Sequence, residues 1–256
     1  MQYDAPFWDE QYMLNQQLLQ PDIIALGDSW LHYPFNNLAT EIHAQTGQQY
    51  VILVGGEVGQ EAQDWIKKKR YARQAKWYIQ QYGQNAKAFI LSAGGNDFAD
   101  PDDFDPLLLD NCTGIGNAID CFEPGQPDAL FQAVLAGYDT VVTQIRSQNP
   151  TAPIFLHNYD YAYPSGKGLV GHGNWLREPM DTAQVARGLQ ADVVRYLIDS
   201  FTTVVQSLEA SDPNVHLVQT AGTLTAQEWA NELHPTPAAF ARLGEVWVTE
   251  MAPHLG

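Results

Sequence analysis

The segment Ile23-Ile24-Ala25-Leu26-Gly27-Asp28-Ser29-Trp30 passes from a short apolar run to small and polar residues. Its four apolar residues closed by a glycine are too short for a helix and are typical of a buried strand. Similar apolar runs, each ending near glycine, asparagine or another polar loop residue, occur at residues 51–54, 88–91, 153–156 and 215–218. The sequence therefore predicts five short buried strands.

Longer segments with helical periodicity separate these strands, at residues 38–46, 60–82, 128–147, 182–208 and 237–251. Alternation of strand and helix predicts an α/β fold with a parallel sheet and helices on both faces, formed by one domain over residues 1–256. Ligands in such folds bind at the carboxyl ends of the strands. Two connections, at about 98–127 and 158–180, are long enough to form lids or walls there.

The composition excludes some classes of partner. The chain of 256 residues has 30 acidic and 13 basic side chains, a formal charge of -17, which disfavours nucleic acid and anionic membranes. We find no apolar stretch of membrane-spanning length and no secretory signal in the first twenty residues. We expect a soluble protein, cytoplasmic or secreted with its signal removed. The sequence leaves open the compartment, the oligomeric state and whether Cys112 and Cys121 are bridged.

Two residues near opposite ends of the chain carry the chemistry. Ser29 follows the first strand, where a nucleophile would stand, although Asp28 or Ser29 is equally suited to capping the next helix. His234 precedes Pro235 in a turn before the last helix. A serine hydroxyl needs a base at neutral pH, and histidine is the usual one. The pair indicates a serine hydrolase.

The chain resembles the GDSL, or SGNH, hydrolases in four short motifs that occur in order. They are Gly27-Asp28-Ser29-Trp30, Gly59 after the second strand, Gly94-Gly95-Asn96-Asp97 after the third strand, and His234-Pro235-Thr236. The resemblance implies a three-layer α/β/α sandwich with a flavodoxin-like sheet. It also implies that Ser29 attacks an ester carbonyl, and that the Ser29 amide, the Gly59 amide and the Asn96 side chain form the oxyanion hole.

The sequence departs from the family at the third member of the triad. The family usually has an aspartate three residues before the histidine, and this chain has Asn231 there, followed by Glu232. Asparagine orients an imidazole without neutralising the imidazolium, whereas loss of a triad carboxylate costs about 10⁴ in turnover. We therefore prefer Glu232 as the partner of His234, with Asn231 or a backbone carbonyl as the alternative.

Aromatic side chains in the connecting loops suggest the substrate. Trp30, Tyr159 and Trp175 are the candidate binding residues, with Tyr161, Tyr163 and His172 in the same loops. We expect hydrolysis of a small-molecule, saccharide or lipid ester through an acyl-enzyme, without cofactor or metal, and the loops favour a carbohydrate or short-chain acyl ester. An acyltransferase, a lipase or thioesterase, and a catalytically silent carbohydrate-binding protein are the alternatives.

Overall fold

The sheet of the computed structural model has five parallel strands in the order β2-β1-β3-β4-β5. The strands are β1 (Ile23–Gly27), β2 (Ile52–Gly56), β3 (Ala88–Ser92), β4 (Ile154–His157) and β5 (Val215–Val218). Every residue of β1, which lies between β2 and β3, is buried, because helices cover both faces of the sheet. The predicted five-stranded parallel sheet and its flavodoxin-like order are confirmed. The structure describes residues 5–169, 171 and 175–255.

Helices form the outer layers of the sandwich. One layer contains α3 packed against α11, and the other contains α5, α8 and α10 packed in series. In the described part of the chain the helices are α1 (Glu10–Asn15), α2 (Ser29–His32), α3 (Leu38–Gln45), α4 (Asp64–Lys67), α5 (Lys69–Tyr82), α6 (Asn96–Ala99), α7 (Pro101–Phe104), α8 (Gln126–Gln148), α9 (Arg177–Thr182), α10 (Gln190–Ser211) and α11 (Pro237–Met251).

Two of the predicted helices are wrong at their ends. The helix predicted at 60–82 begins only at Asp64 and is divided into α4 and α5, since Lys68 has an extended backbone. The helix predicted at 182–208 begins only at Gln190, because Gln184 adopts a left-handed conformation with φ 58° that separates α9 from α10. The helix predicted at 237–251 has the bounds expected.

The two long connections differ in structure. The first, predicted at 98–127, contains α7 and two short 3-10 helices, Asp105–Leu107 and Ala118–Cys121, so it is more regular than expected. Cys112 and Cys121 are buried free thiols within it. The second, predicted at 158–180, has no helix among its described residues until α9 begins. His172 lies outside the described residues, as do residues 1–4 and 256 of the predicted domain.

The register of three adjacent strands, β2, β1 and β3, aligns the segments that follow them. Gly27 lies opposite Gly56 on one side and opposite Ser92 on the other. A Cβ atom on Gly27 would lie 1.9 Å from the Ser92 carbonyl oxygen, so only glycine fits at this close approach. The three strands therefore end at the same level of the sheet, and Ser29, Gly59 and Asn96 follow these ends within a few residues.

Among the described residues no helix has the length and apolar content to cross a membrane.

Candidate active site

Ser29 is a buried residue at the first position of α2, held there by the side chain of Asp28. Asp28 Oδ1 accepts the amide of Trp30 (3.0 Å) and the hydroxyl of Ser92 (3.0 Å), while Oδ2 accepts the Tyr159 hydroxyl (2.5 Å). Burial raises the pKa of Asp28 to about 7, against the opposing effect of these hydrogen bonds. Asp28 is therefore the helix cap, which leaves the Ser29 hydroxyl free for another role.

His234 lies directly against Ser29. Its Nε2 is 2.8 Å from Ser29 Oγ, although 205 positions separate the two residues in the sequence. The histidine is fixed by the start of α11, where Thr236 caps the helix and Pro237 occupies its first turn. The sheet thus brings the two predicted residues within hydrogen-bond distance.

The other ring nitrogen of His234 faces Asn231. Nδ1 lies 3.0 Å from Asn231 Oδ1, and the same oxygen accepts the amides of Leu233 (2.9 Å) and His234 (2.8 Å). Two backbone donors fix the amide so that its oxygen, and not its nitrogen, faces the ring. Nδ1 must then carry the hydrogen, which leaves Nε2 as an acceptor for the Ser29 hydroxyl. This is the tautomer that a general base needs.

The prediction that Glu232 contacts the imidazole is wrong, because its carboxylate is bound to other groups. The Glu232 carboxylate is fully buried and accepts three backbone amides, those of Gly166 (2.9 Å), Leu176 (3.1 Å) and Arg177 (3.0 Å). Its oxygens therefore bind the second long connection and not the imidazole. In a tight turn, successive side chains leave in different directions, and here Asn231 is the one that faces His234.

Tyr33 covers the imidazole on one face. The two rings are stacked, with centroids 4.0 Å apart and planes 4° apart, and the Tyr33 hydroxyl accepts a hydrogen bond from Asn231 Nδ2 (3.2 Å). Burial of His234 lowers its pKa to about 4. The imidazole of His234 is therefore neutral at physiological pH, with one face excluded from water. The sequence alone did not indicate this role for Tyr33.

Asn96, in the Gly94-Gly95-Asn96-Asp97 motif, is hydrogen-bonded to the turn that contains Gly59. Gly59 has φ 81°, a left-handed conformation that favours glycine, and it is exposed. Asn96 Nδ2 donates to the carbonyl of Gln60 (3.0 Å). The structure thus places Asn96 beside the Gly59 turn, with a second Nδ2 hydrogen not used in that bond.

Asp97 binds the backbone just after this turn, a contact that was not predicted from the sequence. Its buried carboxylate accepts the amides of Ala62 (2.7 Å) and Gln63 (3.3 Å), and burial raises its pKa to about 6. In the sequence, Asp97 was identified only as the last residue of the Gly94-Gly95-Asn96-Asp97 motif, with no role of its own. Across residues 5–169, 171 and 175–255, no group of three His, Cys, Asp or Glu side chains is arranged to hold a metal ion.

A narrow cavity of about 40 Å³ opens beside Ser29 and Asn96. Trp30 and Tyr159, two of the candidate binding residues, line this cavity, and both are almost fully buried. Trp175 is not among the described residues that line this cavity, and it packs partly buried against the core instead. The assignment of Trp175 to the substrate pocket is therefore not supported, since its ring is used in packing.

Comparison with known proteins gives matches in structure but not in sequence. No family model matches the chain, and no curated protein matches it. The phospholipase A1 of Streptomyces albidoflavus is 15% identical with a TM-score of 0.57, and the match covers 90% of this chain and 99% of that one. A family 3 carbohydrate esterase of Clostridium thermocellum is 14% identical, with a TM-score of 0.53 and coverage of 92% and 97%.

A third structure, described as a GDSL-like lipase from Parabacteroides merdae, is 12% identical with a TM-score of 0.56 and coverage of 91% and 97%. At such low identity these likenesses show the fold and leave the activity to be argued from the site. The chain has the fold of the GDSL, or SGNH, hydrolases.

Proposed function

We propose that this protein hydrolyses carboxylic esters through an acyl-enzyme on Ser29. The observation that carries the proposal is the chain of contacts from Asn231 Oδ1 through the His234 ring to Ser29 Oγ. A serine hydroxyl bound to a neutral, correctly protonated imidazole is the arrangement used for nucleophilic catalysis. The cavity beside Ser29 supplies a place for the substrate.

The reaction follows from these positions. Ser29 Oγ forms a bond to the ester carbonyl carbon as its proton passes to His234 Nε2, and the carbonyl oxygen becomes an oxyanion. The Ser29 and Gly59 amides and the Asn96 side chain are the proposed donors to that oxyanion. The imidazolium then returns the proton to the departing alcohol. Water attacks the acyl-enzyme by the same route, releasing the acid and restoring Ser29.

The alcohol side of the ester faces a different surface from the cavity. A groove of about 410 Å³ is lined by Trp8, Tyr33 and Phe35, and the Phe35 ring lies 5.3 Å from the Tyr33 ring that covers His234. Phe35 is 66% exposed. Exposed aromatic rings stack well on sugar faces, which favours a saccharide as the alcohol. The alternative of a catalytically silent binding protein is disfavoured by the Asn231–His234–Ser29 contacts.

Ser29→Ala tests the proposal directly. We expect the variant to hydrolyse 4-nitrophenyl acetate only at the background rate and to lose labelling by a fluorophosphonate, because among the described residues no other hydroxyl is bound to the His234 ring. Ser147→Ala, an exposed serine on α8, is the matched control and should keep wild-type turnover and labelling.

Labelling that persists in Ser29→Ala would contradict the assignment. Adding a saccharide alcohol to the wild-type reaction separates hydrolysis from acyl transfer. A hydrolase releases mainly the free acid, whereas an acyltransferase forms the new ester in preference.

A further inference from the structure

We propose that the site accepts esters of short, unsubstituted aliphatic acids, with acyl groups of two or three carbons, and that side chains of α10 set this limit. This inference rests on the proposed ester hydrolysis at Ser29. It concerns the acyl side of the substrate, whereas the aromatic groove concerns the alcohol side.

The cavity lies where the acyl chain of an acyl-enzyme must go. Ser29 and Asn96 line it together, so a carbonyl carbon bound to Ser29 Oγ with its oxygen toward Asn96 directs the chain inward. The remaining walls come from α6, the second long connection, α10 and the segment before His234. These walls are apolar and comprise Phe98, Ala99, Ala162, Leu176, Val194, Leu197, Ile198, Trp229 and Leu233.

The acidic side chains that line the cavity already accept several hydrogen bonds from the protein. Asp28 already accepts from Trp30, Ser92 and Tyr159. Asp160 is 1% exposed and accepts the amides of Tyr161, Gly222 and Leu224. A hydroxyl or charge on the acyl chain would have to compete with these bonds for a partner, and burying a poorly paired polar group is costly. The walls therefore favour an acyl chain that is an unsubstituted hydrocarbon.

The size of the cavity limits the length of the chain. Its volume is about 40 Å³. An apolar cavity of roughly 150 Å³ in another protein holds benzene, with six carbons, so about a quarter of that space holds only about one or two carbons beyond the carbonyl carbon, an acyl group of two or three carbons in all. Pockets for larger ligands have roughly 300–1,000 Å³. Longer acyl chains need displacement of the wall.

The wall formed by α10 is difficult to displace. Val194, Leu197 and Ile198 lie three and four positions apart, on one face of the helix, and none is more than 2% exposed. The helix is 22 residues long and packs on α8, β4 and β5. Close-packed interiors resist local expansion. Shortening a side chain on this face should therefore lengthen the acyl group that is accepted.

The test measures kcat/KM for 4-nitrophenyl acetate, propionate, hexanoate and decanoate. We expect the wild-type enzyme to prefer acetate or propionate over hexanoate by at least about tenfold, since one methylene in an apolar pocket discriminates by roughly 10–200-fold. Hexanoate or decanoate hydrolysed as well as propionate would overturn the inference and leave ester hydrolysis intact. Failure to hydrolyse any ester, with no fluorophosphonate labelling, would instead remove the proposed function and this inference with it.

Leu197→Ala and Leu208→Ala form a matched pair on the same helix. Both leucines are buried, at 0% and 3% exposed, but Leu208 is not among the residues that line the cavity. We expect Leu197→Ala to raise the ratio of hexanoate to propionate kcat/KM by about tenfold, and Leu208→Ala to leave it unchanged. An equal shift in both variants, or none in Leu197→Ala, would overturn the inference. Leu197→Val gives the same test with a smaller loss of packing, should the alanine variant fail to fold.

Discussion

Asn231 and Glu232 are neighbours in one turn, and their side chains bind different parts of the candidate site. Asn231 contacts the imidazole through Oδ1, whereas Glu232 binds three amides of the second long connection. The residue with the charge is not the one that orients the base. Hydrogen-bond geometry, rather than the presence of a carboxylate nearby in sequence, decides which side chain fixes the tautomer of His234.

Loss of the Asn231 side chain and loss of the Glu232 charge should have different consequences. Removing Asn231 leaves Nδ1 of the base without an acceptor, which is a change at the reacting groups. Removing the charge of Glu232 loosens the connection that carries Leu176, a wall of the cavity. The first change should affect chemistry, and the second should affect binding and stability.

Asn231→Ala should lower turnover more than Glu232→Gln does. We expect kcat to fall by about two to three orders of magnitude with a small change in KM, because the wrong tautomer becomes available to His234. The loss should be smaller than the ~10⁴ seen when a triad aspartate is replaced, since an amide contributes no charge. Steady-state kinetics check this, with thermal unfolding as the control for folding. A kcat within threefold of wild type would contradict the role of Asn231.

Glu232→Gln should have the smaller effect on chemistry and a clear effect on stability. The amide keeps one acceptor oxygen but presents an NH₂ group to backbone donors, so one buried amide loses its partner at a cost of about 1–3 kcal/mol. We expect a higher KM, a lower melting temperature and a kcat within about threefold of wild type. A fall in kcat of several powers of ten with unchanged stability would restore Glu232 as the partner of the imidazole.

Much of this site could be predicted from the sequence because its parts follow strand ends. Ser29 and Asn96 each follow an apolar run, and parallel strands place the ends of such runs at one edge. His234 lies before a helix whose cap and proline are visible in the sequence. These local signals, together with the order of the motifs, were enough to predict the sheet and the serine–histidine pair.

The remaining features depend on side-chain directions and long-range contacts that local patterns do not contain. Nothing in the sequence shows that Glu232 binds the amides of Gly166, Leu176 and Arg177, which are more than fifty positions away. The apolar wall from α10 was likewise absent from the prediction, since its residues follow the pattern of any buried helix face. Such contacts emerge only once the chain is folded.

The pH dependence of kcat/KM in the wild-type enzyme and in Asn231→Asp shows whether the side chain at position 231 acts on the imidazole of His234. The base must be neutral, and its pKa is lowered to about 4, so wild-type activity should rise with pH through about 4 and fall as His234 becomes protonated below it. A carboxylate at position 231 favours the imidazolium, so it should raise this pKa and move the acidic limb upward by at least about one pH unit. Any ionisation of Asp28 near pH 7 should be common to both proteins. An acidic limb at the same pH in both would contradict the contact between residue 231 and the catalytic base.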